Sequence, residues 1–265
     1  MTGRILHISD LHVGRVATPE PMTALGELIA QLAPQVLVVT GDLTHRGRSA
    51  ELAHAKSLLE ELSLPFFVVP GNHDIPYLPS RFTTPFAKWR RVFGQLEPVH
   101  TSDSLVVHGL SSVRPWRQQG GAVDLAALAR VRATFESAPE GALRVVALHH
   151  HLASPPWRAP GKDPVQNRGL VLRSLVEAGV ELVLSGHVHQ AAIVERREFE
   201  VLDEASPGSV VLATVPGFGR PRPRRRGEAV GFSVYEWNEA ELRAHTWAWV
   251  GRSFERVGER TFRRS

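Results

Sequence analysis

Five short polar clusters concentrate the chemistry of this chain: Asp10/His12, Asp42, Asn72/His73, His149 and His187/His189. Together they offer two aspartates, one asparagine and four or more histidines, so the donors are oxygen and imidazole only. Such a mixture suits divalent first-row metals (Mn, Fe, Co, Ni or Zn) and does not suit an all-oxygen calcium site. There are too many donors for one tetrahedral zinc, and about the right number for two metals sharing a bridging carboxylate. The sequence contains 13 histidines and no cysteine, which excludes thiolate ligands, thiol nucleophiles and disulfides. Singly, each piece is ordinary: Asp-x-His and His-x-His are usually solvated loops or satisfied core histidines, and Gly-Asp after a strand is commonplace. The recurrence of five such pieces, each behind an apolar run, carries the metal reading.

Those apolar runs must position the clusters. Ile5 to Ser9, Val36 to Val39, Pro65 to Val69, Leu143 to Leu148 and Val180 to Leu184 are too short for helices and rich in β-branched residues. Each therefore reads as a buried strand, and in α/β sheets ligands bind outside the carboxyl ends of strands. After the third, Pro70-Gly71 turns the chain sharply and presents Asn72, His73 and Asp74. Helical spacing of apolar residues recurs between the strands: Pro21 to Leu32, Ser49 to Leu62 with Ser49 as N-cap, Leu125 to Phe135, and Leu170 to Ala178 closed by Gly179. Residues 82–93 read as an aromatic-rich helix or cover, and Leu105 to Leu110 as a further strand. Beyond about residue 190 the pattern changes to strands without intervening helices: Ile193-Val194, Val210 to Val215, Gly231 to Trp237 and His245 to Val250. The expectation is one domain over residues 1–251, followed by a basic, weakly patterned tail over 252–265.

Taken together, Asp10-x-His12, Gly41-Asp42, Gly71-Asn72-His73-Asp74, His149-His150 and Gly186-His187-x-His189 resemble the complete signature of the calcineurin-like metallophosphoesterases, over roughly residues 4–190. The resemblance implies an α/β fold, a four-layer α/β/β/α sandwich of two mixed sheets flanked by helices. It also implies that Asp10, His12, Asp42 and His189 hold one metal while Asp42, Asn72, His149 and His187 hold the other. By the same similarity His73 stays off the metals and faces the substrate, and Asp74 supports it. Within the superfamily the chain is most similar to class III cyclic nucleotide phosphodiesterases. That group commonly has a proline soon after its His-His pair, whereas here Leu152 follows His149-His150-His151 and Pro155-Pro156 comes later. His149 and His150 thus stand as alternatives for one ligand position.

The implied activity is metal-dependent phosphodiester hydrolysis of small or nucleotide-like substrates, cyclic nucleotides among them. Two cations neutralise the phosphodiester and lower the pKa of a water between them, and the hydroxide attacks phosphorus in line. His73, oriented by Asp74, is the candidate proton donor to the leaving oxygen. An alternative is a nuclease acting on DNA or RNA, because Asp10-Leu11-His12-Val13-Gly14 also resembles the start of the double-strand-break repair nucleases, which carry additional capping domains. A non-catalytic scaffold would have lost ligands or the substrate-facing histidine, and here none is missing.

Net charge is +4, and arginine supplies nearly all the positive charge, with lysine only at Lys56, Lys88 and Lys162. Arg220, Arg222, Arg224, Arg225 and Arg226 crowd a Pro/Gly-rich loop. Arg224, Arg225 and Arg226 are candidate substrate contacts, against the alternative of a solvated basic loop. The first residues enter a strand directly, and no run approaches the ~18 apolar residues of a membrane helix, so a soluble, cytoplasmic protein is expected.

Overall fold

In the computed structural model, which describes residues 2–14, 19–77, 79–117, 119–153, 161–200, 208–219, 225 and 227–264, the alternating half of the chain is split between two sheets. Three parallel strands, β1 (Gly3–Ile8), β2 (Val36–Val39) and β3 (Phe66–Val68), are linked by helices α1 (Pro19–Leu32) and α2 (Ser49–Glu61). The antiparallel strands β10 (Gly231–Trp237), β11 (Glu241–Val250) and β12 (Ser253–Arg263) complete this sheet in the order β12-β11-β10-β1-β2-β3. The second sheet runs β4 (Val99–Ser102), β5 (Leu105–Leu110), β6 (Leu143–Leu148), β7 (Leu182–Ser185), β9 (Val211–Thr214), β8 (Ala192–Glu195). Its four inner strands are parallel, and β4 and β8 close it as antiparallel edges.

Side-chain alternation assigns the layers. In β1, Ile5 points between the sheets, while Leu6 and Ile8 point toward α1, α2 and the short helix α4 (Ala87–Phe93), which sits beyond the one-turn α3 (Ser80–Thr83). In β6, Leu143, Val145 and Ala147 face the partner sheet, and Val146 and Leu148 face α5 (Leu125–Glu136) and α6 (Arg168–Glu177). Both faces are buried, so these strands read as unbroken apolar runs rather than alternating ones. Each fully buried Val, Leu or Ile side chain contributes about 1.5–3 kcal/mol. Three cores separate four layers, helices, sheet, sheet, helices, as the α/β sandwich expectation has it. Among the described residues no helix is long and apolar enough to cross a membrane.

Two sequence expectations are corrected. Ser49 is the first residue of α2, and its N-cap is Arg48; the start is fixed by the Glu51 carboxylate, which accepts the amides of Arg46 (2.8 Å) and Arg48 (3.3 Å). Residues 252–265 are no loose tail, because 253–263 form β12, paired along β11 with a register shift at Thr246/Trp247. Only Phe254 and Phe262, near its two ends, are buried. Between them lie Glu255, Arg256, Glu259 and Arg260, which suit an edge strand but hide its period from the sequence. Arg264 then forks onto Glu181 (2.7 and 3.1 Å) and donates to the Asn238 carbonyl (2.7 Å), tying the end of the first sheet to the second.

Candidate active site

The loops following β1, β2, β3, β6 and β7 meet at one end of the sandwich. Backbone bonds lock them together: the Asp10 amide donates to the Gly41 carbonyl (2.9 Å), His12 to Asp42 (2.9 Å) and Gly186 to His149 (3.0 Å). Seven described non-glycine residues have positive φ, and five of them are Asp10 (57°), His12 (48°), Asp42 (52°), His187 (69°) and His189 (59°). Left-handed backbone at these residues is strained, and strain gathered at one spot marks a functional site. Glycines permit the close approach. A Cβ on Gly71 would stand 2.2 Å from both the amide and Oδ1 of Asp42, and one on Gly186 would stand 1.8 Å from Ser9 Oγ.

The expected ligands converge as two overlapping groups around Asp42. In one, His189 Nε2 is 3.0 Å from Asp10 Oδ1 and 3.4 Å from His12 Nε2, which is 3.9 Å from Asp42 Oδ2. In the other, His149 Nε2 is 3.1 Å from Asn72 Oδ1, 3.2 Å from His187 Nδ1 and 3.4 Å from Asp42 Oδ2. Donor atoms held ~2.0–2.2 Å from a shared ion would be spaced about this far apart. Asp10 Oδ1 and Asp42 Oδ2 are buried oxygens with no well-aligned hydrogen bond, facing the imidazole nitrogens of His189 (3.0 Å) and His149 (3.4 Å) respectively, and His187 Nε2 has no hydrogen-bond partner. Orphaned buried acceptors of this kind call for a cation. His149 Nδ1 donates to the Thr40 carbonyl (2.7 Å), which turns its Nε2 toward Asn72 and Asp42. His150 instead has Nδ1 against Ser112 Oγ at 2.9 Å, so of the two alternatives His149 is the one facing both oxygens. The residues present fit two divalent ions.

Electrostatics point the same way. Burial disfavours the charged form of His149, but the Asp42 carboxylate overrides it and pushes the imidazole up to about 9. Burial likewise opposes ionisation of Asp42, yet the charges of His149 and His73 hold its carboxyl well below the usual range. Burial lowers His12 to about 4 and also carries His187 well below its ordinary value, keeping both imidazoles neutral.

His73 and Asp74 separate in role. Asp74 does not touch the His73 ring: its carboxyl accepts Thr44 N (2.9 Å), Thr44 Oγ1 (3.1 Å) and Gly71 N (2.8 Å), so it shapes the loop. Burial and the neighbouring Asp42 charge raise Asp74 to about 7. The ring of His73 is held instead through Nδ1, which donates to the His45 carbonyl at 2.9 Å. Its ring centroid is 5.0 Å from that of His12. His45, Thr44 and Ser112 carry no motif signal, and only proximity in the fold reveals them. Arg220, Arg222, Arg224 and Arg226 lie outside the described residues; Arg225 is exposed, with its amide donating to Glu228 (2.9 Å). The described start of that loop is pinned to the site, the Gly219 amide donating to the Asp10 carbonyl at 2.8 Å.

Comparison with known proteins places this geometry. Residues 3–191 match the calcineurin-like phosphoesterase family model. A probable cyclic nucleotide phosphodiesterase of Synechococcus is 30% identical over 215 residues, 74% of this chain and 77% of its own length. The cAMP/cGMP dual specificity phosphodiesterase of Mycobacterium tuberculosis is 29% identical over 204 residues, 70% of this chain and 61% of its own length. Among solved structures, a dimetal phosphatase from Danio rerio superposes with a TM-score of 0.66 at 14% identity, covering 99% of both chains, which speaks for the fold. Signature residues, sandwich and family match agree: the chain belongs to the calcineurin-like metallophosphoesterases and is a phosphoric ester hydrolase.

Proposed function

We propose that this chain is a two-metal phosphodiesterase for small or nucleotide-like phosphodiesters. Asp10, His12, Asp42 and His189 hold one divalent ion, and Asp42, Asn72, His149 and His187 hold the other, drawn from Mn, Fe, Zn, Co or Ni. The observation that carries this reading is the convergence of the buried oxygens Asp10 Oδ1 and Asp42 Oδ2, neither with a well-aligned hydrogen bond, with four buried imidazoles. When bound, such ions supply Lewis-acid neutralisation of the phosphate and acidify a water for attack on phosphorus.

The protein residues supply the rest. Asp42 sets the spacing of the two ligand groups, and the Thr40 carbonyl keeps His149 in the tautomer that offers Nε2. His73, off the ligand groups and half-buried, donates a proton from Nε2 to the leaving oxygen, its ring fixed by the His45 carbonyl. The cyanobacterial and mycobacterial relatives bring cyclic nucleotides forward as substrates.

The test is purification with metals retained, metal analysis, and side-by-side assay of cyclic nucleotides, oligonucleotides and aryl phosphate mono- and diesters. Two metals per chain with diesterase activity are expected. Turnover confined to monoesters would overturn the reading.

A further inference from the structure

A cavity of about 550 Å³, lined by His45, Arg46, Arg48, Tyr77 and Lys88 among others, adjoins the site on the side of His73. Its wall carries the basic side chains of Arg46, Arg48 and Lys88, and among the described residues no acidic side chain lines it. Glu51 stands behind Arg48, 3.9 Å from its Nε, but this carboxylate is buried and already accepts the amides of Arg46 and Arg48. It tempers one charge without filling the cavity. The start of α2 lies at the same rim and adds the positive end of the helix dipole. Cations gathered in a concavity repel one another unless an anion joins them. Tyr77, 45% exposed, adds a flat aromatic face of the kind on which a base stacks.

The location of the cavity makes the charge specific. The His45 ring, part of its lining, stacks on His73 at 5.8 Å and 18°, and stands 6.4 Å from His12. His45 is thus shared between the cavity wall and the ring stack on His73, the residue proposed to protonate the leaving oxygen.

We propose that this cavity binds a second phosphate carried by the leaving alcohol, so that the preferred substrate is a linear phosphodiester with a phosphorylated end, such as a dinucleotide bearing a terminal phosphate. The proposal rests on the phosphodiesterase reading. In the reaction a water oxygen bonds to phosphorus and the P–O bond to the alcohol breaks. The alcohol oxygen takes its proton from His73 while the water proton passes to solvent, leaving a phosphomonoester and an alcohol bearing the second phosphate. A cyclic nucleotide has one phosphate, which the metals take, and nothing anionic left for the cavity. Arginine forks suit a terminal phosphate, and a charged hydrogen bond lost there reads as about tenfold or more in kcat/KM.

The experiment compares thymidylyl-thymidine with its 5′-phosphorylated and 3′-phosphorylated forms on the metal-loaded enzyme, for wild type, Arg46→Gln, Lys88→Gln and the double variant. The expected result is a preference of about tenfold or more for one phosphorylated form, with the position of the phosphate reporting which alcohol leaves. That preference ratio falls toward unity in the double variant. A wild type that turns over cyclic nucleotides or aryl diesters without favouring either phosphorylated dinucleotide overturns the proposal and leaves the phosphodiesterase reading standing. A preference that survives in the double variant also overturns it. Should no diester be cleaved, the phosphodiesterase reading falls, and binding of thymidine 3′,5′-bisphosphate to the loaded protein decides: weaker binding by Arg46→Gln and Lys88→Gln supports the cavity as an anion site, and equal binding overturns it.

Discussion

His73 donates from Nδ1 to the main-chain carbonyl of His45, 2.9 Å away, while the two rings stack at 5.8 Å. A carbonyl only accepts, so the proton on Nδ1 is fixed and Nε2 is the atom left to exchange protons. His73→Gln is expected to keep the metals and slow turnover by ~10²–10⁴-fold. The loss should shrink for nitrophenyl esters, whose leaving group needs little protonation. Equal losses for nitrophenyl and alkyl leaving groups would remove His73 from that role.

Asp42 sits between the two groups of proposed ligands, with Oδ2 3.4 Å from His149 and 3.9 Å from His12. Asp42→Ala should therefore drop metal content well below two per chain and abolish activity, as measured by elemental analysis and diester assay. Retention of both metals with normal turnover would show the carboxylate to be dispensable.

On the proposed ligand set, a proton and a metal would compete at His149. Its folded value of about 9 exceeds the ordinary 6.5. In the metal-free protein the pair with Asp42 thus stabilises the fold fully below pH 6.5 and is lost as pH rises through 9. Metal binding expels that proton, so apparent metal affinity should climb about tenfold per pH unit across this window. Calorimetric titration in buffers of different ionisation enthalpy checks it through the protons released. Affinity that stays flat from pH 6.5 to 9 would contradict the linkage.

Gly71→Ala tests the tightness of the cradle. The new methyl would stand 2.2 Å from the Asp42 amide, and main chain cannot swing aside. Overpacking of this sort costs about 1–3 kcal/mol. The variant should lose metal affinity out of proportion to its lowered Tm, whereas Gly169→Ala, in helix α6 and with no neighbour within 4 Å of its Cβ position, should keep full affinity. A Gly71→Ala protein with normal metal content would refute the close approach.

Arg264→Ala removes a nearly buried fork onto Glu181, their side chains being 8% and 13% exposed. The loss should be up to about 3 kcal/mol, reduced from the fully buried case by residual solvent, and should lower Tm by roughly 5–10 °C. Activity per folded molecule should not change. A Tm within a degree of wild type would mean that the second sheet does not depend on this clamp.

The strands that carry ligands were legible because both of their faces are buried, which leaves unbroken runs such as Val36-Leu37-Val38-Val39. The candidate ligand clusters stood out because five of them recur, each directly behind such a run. Two edge strands gave no such signal: β4 is four residues long with none of them buried, and β12 buries Phe254 and Phe262 alone. Side chains acting across the fold were also silent. Asp74 works through Thr44, thirty positions away, and His45 reaches His73 with its carbonyl, a group that every residue has.

The left-handed backbone at Asp10, His12, Asp42, His187 and His189 bears on how this signature can drift. Aspartate, asparagine and histidine are the non-glycine residues that enter that conformation most readily, and all three also offer donor atoms that divalent metals accept, aspartate and histidine the more strongly. One residue type thus answers two demands at each position. Replacing His12 by glutamine or Asp10 by glutamate, which preserves a donor atom, forfeits the conformational half. Aspartate and histidine exchanged for each other, or either for asparagine, keep it. Drift at these positions should therefore run within that trio, and the loops should hold their shape in a descendant that has already stopped binding metal.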